Sequence, residues 1–537
     1  MPPGTFLLVR EDEASRDHGG RTIILDPVPS DDPNEPLNWS TTRKAVNFTL
    51  VLVVSCLIFT ALSIQPIFWQ LMVVDLNVTY TQLNNAASVN FVGLSTGCVL
   101  FIPLAIKYGR RPVYLVSTAL MLATSMWLGQ IKSLSELYAA NLLQGLAGAT
   151  NESIVQITIA DLFFVHHRGG MNGLYMTMVM IGSFLTPMAA GAQATNQGWR
   201  WSYYTMSIFT GVIFLLFVLF YEETKYSRVI DGIPAPNDTI YDAQLSNSPH
   251  PESAKFDKTG RDPQVVDTAT VPIRQSSRDH EVDQSIPIKP WRTRLALITP
   301  TSEPIWSYFY RPFLILLRFP TVLFTGLQYA SGIVWLTIMS SVLALVFPLP
   351  PYNFSPAQVG YMSSGPFIGN LLGAIYGGFL GDWSILFFSR RNKGYFEPEM
   401  RLYILHIPAV FLCGGIIMFG VTISRGMHWI LPVIAGGFFG FGLGSIGDAC
   451  LTLVIDSYHD VVGDAFTGIA FLRNAITIGI PFAITPWMET NGLQNMFITC
   501  GFISLGITSL CIPMVIFGKR SRRKLAPYYR EMASKQG

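Results

Sequence analysis

Two acidic residues, Glu152 and Asp448, lie in the middle of long apolar stretches of the sequence. A carboxylate in such a stretch is costly inside a bilayer unless it faces water or a partner, where it can bind a proton or a cationic group. Each acid follows a glycine at the same spacing, as Gly148-x-x-x-Glu152 and Gly444-x-x-x-Asp448. The repeated spacing predicts two related halves, each of which places an acid at a matching depth.

A basic residue, Arg473, also lies in an apolar stretch and is followed by Asn474. A buried guanidinium requires a carboxylate or water, and Asp448 and Asp382 are the acids available as partners. The acids therefore have a second interpretation, as structural partners of Arg473 or of a neighbouring helix. We favour a functional role because the acid recurs at the same place in both halves.

Further polar and aromatic residues interrupt other apolar stretches. Each of them taken singly is explained by helix packing, whereas a set that faced one cavity together with the acids would suit an organic cation. This candidate binding set is Asn90, Gln328, Tyr329, Trp335 and Asn370.

A second class of candidates lies where apolar stretches end. Basic residues cluster around a glycine after the second stretch, and a glycine, an acid and arginines recur after the eighth, so we predict a gate between the halves. The predicted gating residues are Lys107, Gly109, Arg110, Arg111, Asp161, Gly378, Asp382, Arg390 and Asp456.

Prolines inside two apolar stretches predict bent helices, because proline removes a backbone hydrogen bond. The predicted bends are at Pro187, in the fifth stretch, and at Pro481 and Pro486, in the eleventh. Bent helices are common where transporters form binding sites, and a simple packing bend is an equally good interpretation.

Enzymatic motifs are missing from the sequence. There is no GxxxxGK[ST] phosphate loop, no nucleophile elbow and no zinc motif. The six cysteines all fall in apolar stretches and have no metal-ligand spacing, so we interpret them as packing thiols. We expect no enzymatic activity, no cofactor, no metal and no nucleic-acid partner.

The elements that must position these residues are membrane-spanning helices. Only 13% of the 537 residues are charged, about half the usual fraction in soluble domains. About twelve apolar stretches are long enough to cross a bilayer, which predicts an all-α membrane protein with two pseudo-symmetric bundles of six helices. The predicted spans lie near 45–65, 87–106, 112–131, 137–162, 171–194, 203–221, 319–347, 358–381, 402–422, 428–456, 465–487 and 495–518.

The basic residues of the short loops predict the orientation, because cytoplasmic loops carry more Lys and Arg. The loops on the side of the chain termini hold most of these residues, so both termini are expected to be cytoplasmic. The Asn77-Val-Thr79 sequon would then lie outside, where Asn77 can accept a glycan. The predicted parts are a cytoplasmic tail (1–44), a bundle (45–221), a cytoplasmic central loop (222–316), a second bundle (317–518) and a basic cytoplasmic tail (519–537).

Within the central loop, Arg274-Gln-Ser-Ser277 has the pattern of a phosphorylation site. The segment WRTRLALITP at 291–300 predicts a short helix on the membrane surface.

The residues taken together resemble the major facilitator superfamily over nearly the whole chain. Asp32-Pro33-x-x-Pro36-Leu37-Asn38-Trp39-Ser40 resembles the N-terminal sequence of fungal members of the drug:proton antiporter-like group. The NESIVQITIADLFF, HHRGGMNGLY, FLRNA and ITPW segments look closest to the fungal polyamine and histidinol transporter branch, many relatives of which are efflux carriers.

The sequence also departs from the family pattern. Ile102 and Ile106 occupy the Gly and Asp positions of the loop motif after the second span, which predicts a weaker gate contact in the first half. Asn141 stands where relatives have an arginine associated with proton coupling, and the antiporter motif of the fifth span is matched only in part, at Thr186–Gly191.

The resemblance implies a monomeric transporter of the plasma membrane that works by alternating access between its halves. We expect proton-coupled efflux of a small organic drug, toxin or secondary metabolite. One alternative is uptake of polyamines or related organic cations, which the paired acids would suit. Another is a nutrient sensor that binds without transporting, for which a measured flux would be decisive.

Overall fold

In a computed structural model the described residues are 2–7, 32–225, 229–230, 233–234, 287, 289–299, 305–392, 395–458 and 461–534. Within these ranges, some side chains are left undescribed, including those of Glu152 and Asp382. The described chain is mainly helical. The helices are α1 Thr41–Ser63, α2 Trp69–Leu76, α3 Tyr80–Tyr108, α4 Arg110–Gln130, α5 Leu134–Gly148, α6 Thr150–Leu162, α7 Val165–Met180, α8 Thr186–Gln197, α9 Trp199–Phe220, α10 Trp291–Arg294, α11 Ile305–Arg318, α12 Pro320–Val346, α13 Pro356–Tyr361, α14 Ser364–Arg391, α15 His406–Ser424, α16 Ile430–Ser457, α17 Val462–Ile478, α18 Ile480–Ser509 and α19 Cys511–Ser534.

Polar residues start several of these helices. Thr79 accepts a hydrogen bond from the Gln82 amide while the Gln82 side chain returns to the Thr79 amide, which forms a capping box at α3. Ser40 and Ser133 cap α1 and α5, since their hydroxyl oxygens accept hydrogen bonds from the Arg43 and Glu136 amides. Short polar signals between long apolar runs therefore decide where each helix begins.

Twelve membrane spans result from these helices. Ten stretches have the length and apolar character to cross a bilayer, among them Val462–Ala533, which is long enough for two spans. The backbone leaves the helical region at Gly492 (φ 73°), and this break separates the eleventh span from the twelfth. Helices α5 and α6, which continue one another across Ala149, supply the fourth span.

The same glycine-mediated packing recurs in both six-helix bundles. In the first, a Cβ on Gly145 of α5 would lie 2.0 Å from the Asn90 carbonyl oxygen of α3. In the second, a Cβ on Gly369 of α14 would lie 1.9 Å from the Gly437 carbonyl oxygen of α16. Backbones this close require glycine. Since each contact joins the second and fourth spans of its bundle, the two halves are related by pseudo-symmetry.

The non-α elements are short. Strand β1 (Phe6–Leu7) pairs antiparallel with β4 (Tyr395–Phe396), and β2 (Val229–Ile230) pairs with β3 (Ile233–Pro234). A π-helical turn, Ile181–Leu185, joins α7 to α8 directly before Pro187. Short 3-10 helices cover Pro36–Asn38, Gln65–Phe68 and Pro398–Leu405.

Both ends of the described chain lie on one face of the bundles, which we name the termini-side face. Residues 2–7 contact the C-terminal helix α19 here through Arg522. On this face the halves meet where Gly463, at the start of α17, lies next to Ile157 of α6. On the opposite face, which carries Asn77, α8 packs against α13. The halves therefore touch at both ends of the molecule.

Candidate functional site

A cavity of about 180 Å³ lies between the halves. It is smaller than typical ligand pockets of about 300–1,000 Å³, as expected where the halves touch on both faces. The first half contributes Phe59, Leu62, Ser63, Pro66, Ile67, Trp69, Ala87, Phe91, Leu94, Ser183, Phe184 and Pro187. The second half contributes Ile333, Leu336, Thr337, Met339, Ser340, Ser341, Leu343, Ala344, Val359, Met362, Ser363, Pro366, Phe419, Pro432, Gly436, Phe439, Arg473 and Asn474.

The lining is mainly apolar and aromatic, with single hydroxyl groups between the rings. Phenylalanines from several helices line the cavity together with methionines and serines from α12 and the α13–α14 region. Aromatic and thioether groups bind flat apolar molecules, and the hydroxyls provide a few directional hydrogen bonds. The sequence prediction missed nearly all of these residues, because a phenylalanine that lines a cavity looks like one that faces lipid.

Arg473 is the one formally charged residue among the described side chains of the lining. It is 5% exposed, and its Nε and Nη2 atoms donate to Asn474 Oδ1 at 3.1 and 3.0 Å. Its guanidinium carbon also lies 5.1 Å from the centre of the Tyr329 ring. Asn474 Nδ2 is 3.7 Å from Cys98 Sγ of α3. The predicted pair Arg473 and Asn474 therefore lies at the interface of the halves.

The predicted acids occupy different surroundings. Asp448 lies on α16 beside α14, where a Cβ on Gly377 would be 3.0 Å from Asp448 Oδ2, and it is not part of the cavity lining. Glu152 lies in α6, but its side chain, like that of Asp382, is outside the described part of the structure. The structure thus places Arg473, and not Asp448, at the cavity.

The other predicted binding residues mostly hold helices together. Asn90 Nδ2 donates to the Asn141 carbonyl oxygen at 3.1 Å, and Gln328 Nε2 donates to the Ile507 carbonyl oxygen at 2.6 Å. A Cβ on Gly444 would be 2.3 Å from Asn370 Oδ1, so this amide lies between α14 and α16. Trp335 is buried in α12 but does not line the cavity.

The predicted gating cluster of the first half is an ion-pair network on the termini-side face. Arg110 Nε lies 3.0 Å from Asp161 Oδ2. Arg111 Nη2 donates to the Val218 carbonyl oxygen at 2.8 Å, and Arg111 Nη1 donates to the Leu295 carbonyl oxygen. Gly109 has φ 116°, which favours glycine and turns the chain between α3 and α4.

Glu223 completes this network, and the sequence prediction did not include it. Its two carboxylate oxygens accept hydrogen bonds from the backbone amides of Arg110 (2.9 Å) and Arg111 (3.0 Å) at the start of α4. A carboxylate there satisfies exposed amides and the positive end of the helix dipole. The acidic pair Glu222-Glu223 directly after the sixth span was the available sequence signal.

Lys225 joins the central segment to the same network. Its Nζ donates to the carbonyl oxygens of Lys107 and Thr299, both at 2.6 Å. Burial lowers the pKa of Lys225 to about 8, helped by the positive charge of Arg110 and opposed by Glu223 and Asp161. The predicted short helix is present at Trp291–Arg294, and residues 295–299 then dock on the first bundle through Leu295 and Thr299.

The second half has an equivalent ion pair. Arg401 Nε lies 2.8 Å from Asp456 Oδ2, which matches Arg110 and Asp161 in the first half. The predicted gating residue Arg390 is exposed instead, and a Cβ on Gly378 would meet no atom within 4 Å. Asp456 therefore pairs with an arginine of the 3-10 helix that directly precedes α15.

The predicted prolines lie at helix starts or within a helix. Pro187 is in the first turn of α8, after the π-helical turn, and Pro481 is in the first turn of α18. Pro486 lies inside α18. Asn77 is exposed and has a left-handed backbone (φ 53°) between α2 and α3. The serines of the predicted phosphorylation site, Ser276 and Ser277, lie outside the described residues.

The profile of the Major Facilitator Superfamily matches residues 50–481. The chain belongs to the Major Facilitator Superfamily. Members of this family are membrane transporters and not enzymes, so a small-molecule substrate and a lipid bilayer are its partners. The fold described above, with two bundles of six helices around a shared cavity, is that of the family.

Similar proteins occur in several fungi and cover this facilitator almost completely. An uncharacterized MFS-type transporter of Schizosaccharomyces pombe is 32% identical, with 98% of this chain and 94% of the relative covered. Protein HOL1 of Saccharomyces cerevisiae is 27% identical, with 97% and 95% covered. The multidrug transporter TPO1_2 of Candida glabrata is 24% identical, with 93% and 79% covered.

The acidic position of the family's loop motif is not conserved in this facilitator, and a carboxylate from another loop takes its place. Ile106 replaces the expected acid, and the sequence therefore predicted a weak gate contact in the first half. The structure nevertheless has a carboxylate at the start of α4, because Glu223 reaches it from the end of the sixth span. The charge needed at this helix end thus comes from another loop.

Proposed function

We propose that this facilitator carries a small, mainly apolar organic molecule across the plasma membrane by alternating access. The cavity that both halves line supports this function, since a site shared by two bundles is exposed to one side or the other when they rock. We further propose a monomer with both termini in the cytoplasm, and the basic loops of the termini-side face support that orientation.

The lining indicates the class of substrate. Phenylalanine and methionine side chains suit an aromatic or aliphatic body, and Arg473 with Asn474 supplies a polar end. A relative bears the name multidrug transporter, which agrees with a drug-like or metabolite-like cargo. We propose outward transport in exchange for protons, with Glu152 as the proton-binding group.

Transport can be tested with the purified protein in proteoliposomes under an imposed proton gradient. Ethidium serves as the aromatic probe and labelled spermidine as the polyamine probe. We expect gradient-dependent flux of ethidium, and Glu152→Gln should abolish it, while Asp448→Asn should retain it because Asp448 packs beside Gly377. Flux of spermidine alone would favour cation uptake, and no flux with either probe would count against the proposed cargo.

The role of the cavity can be tested separately. Arg473→Gln should lower the KM for ethidium flux, since ethidium is a cation and the substitution removes a like charge from the cavity lining. Arg520→Gln is a matched control, because it removes the same charge from an exposed side chain of α19. Equal flux in the two variants would exclude Arg473 from the transport site.

The proposed orientation can be tested by glycosylation of Asn77. An Asn77→Gln variant should run faster on a gel than the unsubstituted protein before deglycosylation, and at the same position after it.

A further inference from the structure

The first described residues of the chain bind to the second bundle. Residues 2–7 lie on the termini-side face, where β1 pairs with β4 in the loop between the eighth and ninth spans. Leu7 is directly opposite Tyr395. A pairing of two residues on each strand is weak by itself, so other contacts must hold this segment.

The strongest of these contacts involves Arg522 of α19, which is fully buried. Its Nε and Nη2 atoms donate to Glu399 Oε1 (2.9 Å) and Oε2 (2.5 Å). The remaining nitrogen, Nη1, donates to the Pro3 carbonyl oxygen and to Thr5 Oγ1 (3.2 Å). A buried guanidinium needs acceptors for all of its donors. The N-terminal segment supplies the acceptors that Glu399 cannot.

Gly4 places the segment against the end of α16. Its φ is +73°, and a Cβ there would lie 2.3 Å from the Asp456 carbonyl oxygen. Any other residue would push the segment away from α16. Asp456 is near the end of α16 and forms the ion pair with Arg401. The chain then leads to Gly463, where the second half meets Ile157 of the first.

From these contacts we propose that residues 2–7 act as a releasable intramolecular brake. When docked, the segment fixes the end of α16 against the β4 loop and α19, and so supports the surface at Gly463 that meets the first half. Docking therefore favours closure of the termini-side face, and release favours its opening. The brake presumes the alternating access proposed above, but its test measures distances and needs no substrate.

Docking can be measured in the full-length chain with Leu7→Cys and Tyr395→Cys, which face each other across the strand pair. A disulfide between them should form under mild oxidation. It should be lost when Gly4→Ala is added, because the new Cβ overlaps the Asp456 carbonyl oxygen. Gly414→Ala is the matched control, since a Cβ at Gly414 meets no atom within 4 Å.

Opening can be measured by the distance between spin labels on Thr42→Cys and Lys524→Cys, two exposed positions on the termini-side face. Gly4→Ala should increase the population with the longer distance about fivefold or more, and Gly414→Ala should not. The proposal is overturned if the disulfide does not form with Gly4 in place. It is also overturned if Gly4→Ala abolishes the disulfide while the distances stay the same.

Discussion

The contact between α8 and α13 on the Asn77 face can be loosened by a single methyl group. A Cβ on Gly191 would lie 2.5 Å from the Pro356 carbonyl oxygen, and one on Gly360 would lie 2.8 Å from the Pro187 carbonyl oxygen. We predict that Gly191→Ala favours the state in which this face is open. Both clashes are with backbone, so the two helices themselves must separate.

The size of the effect follows from the geometry. A methyl group needs about 3.4 Å or more from such an oxygen, so the helices must move apart by nearly an ångström, and overpacking of this kind costs about 1–3 kcal/mol. The cost applies only while the halves touch. Ala also has a higher helix propensity than Gly, but this gain is the same in the open and the closed state and does not change their ratio. The population open on this face should therefore rise by about 5–150-fold.

Alkylation of a cysteine in the cavity measures that population. Ser340 lines the cavity, so Ser340→Cys should react with a maleimide in detergent solution at a rate proportional to the open fraction. Gly191→Ala should accelerate this reaction and Gly414→Ala should not. Adding Gly360→Ala to Gly191→Ala should have little further effect, since both relieve the same contact. An unchanged rate in folded Gly191→Ala protein would refute the assignment of this contact as a gate.

Two further predictions concern the network around Glu223. Glu223→Ala should lower stability by about 1–2 kcal/mol through loss of the cap on α4, measured by thermal unfolding in detergent. Glu223→Gln keeps one acceptor oxygen but removes the charge, so it should lose part of this stability, and an unchanged stability in Glu223→Gln would contradict a role for the charge. For Lys225, the pKa in the folded protein, about 8, is below its ordinary value of 10.5 because of burial and Arg110. The folded state then binds fewer protons than the unfolded state between those values, so stability should rise with pH from about 8 to 10.5. Lys225→Gln should reduce that rise, and an identical pH profile in the variant would exclude Lys225 as its source.

The sequence alone could predict the fold because lipid imposes a simple rule on it. Every span must be apolar over about 20 residues, and that pattern is visible without any knowledge of contacts. The twelve spans and the two related halves were confirmed. The resemblance to the family was confirmed as well.

The composition of the cavity could not be predicted in the same way. Arg473 and Asn474 were found because polar residues are rare in spans, whereas Phe91 or Phe439 cannot be distinguished from lipid-facing residues by type. Asp448 shows a second limit, because its depth in the sequence matches that of Glu152 but it lies beside Gly377 and outside the cavity lining; its role in proton coupling stays a prediction. The depth of a residue in the membrane follows from its position along one helix. The direction in which its side chain points depends on how several helices pack.

Glu223 shows which contact at this helix end a sequence motif does not reveal. The start of α4 presents two backbone amides that need an acceptor, and this requirement belongs to the helix end rather than to any position in the sequence. An acid at position 106 would approach it from the preceding helix, and Glu223 approaches it from the end of the sixth span with oxygens at 2.9 and 3.0 Å. Ile106→Asp should therefore place a second carboxylate beside an occupied site and destabilise the closed face. In the Glu223→Ala background the same substitution should restore stability, and failure of that rescue would show that the two positions do not serve one helix end.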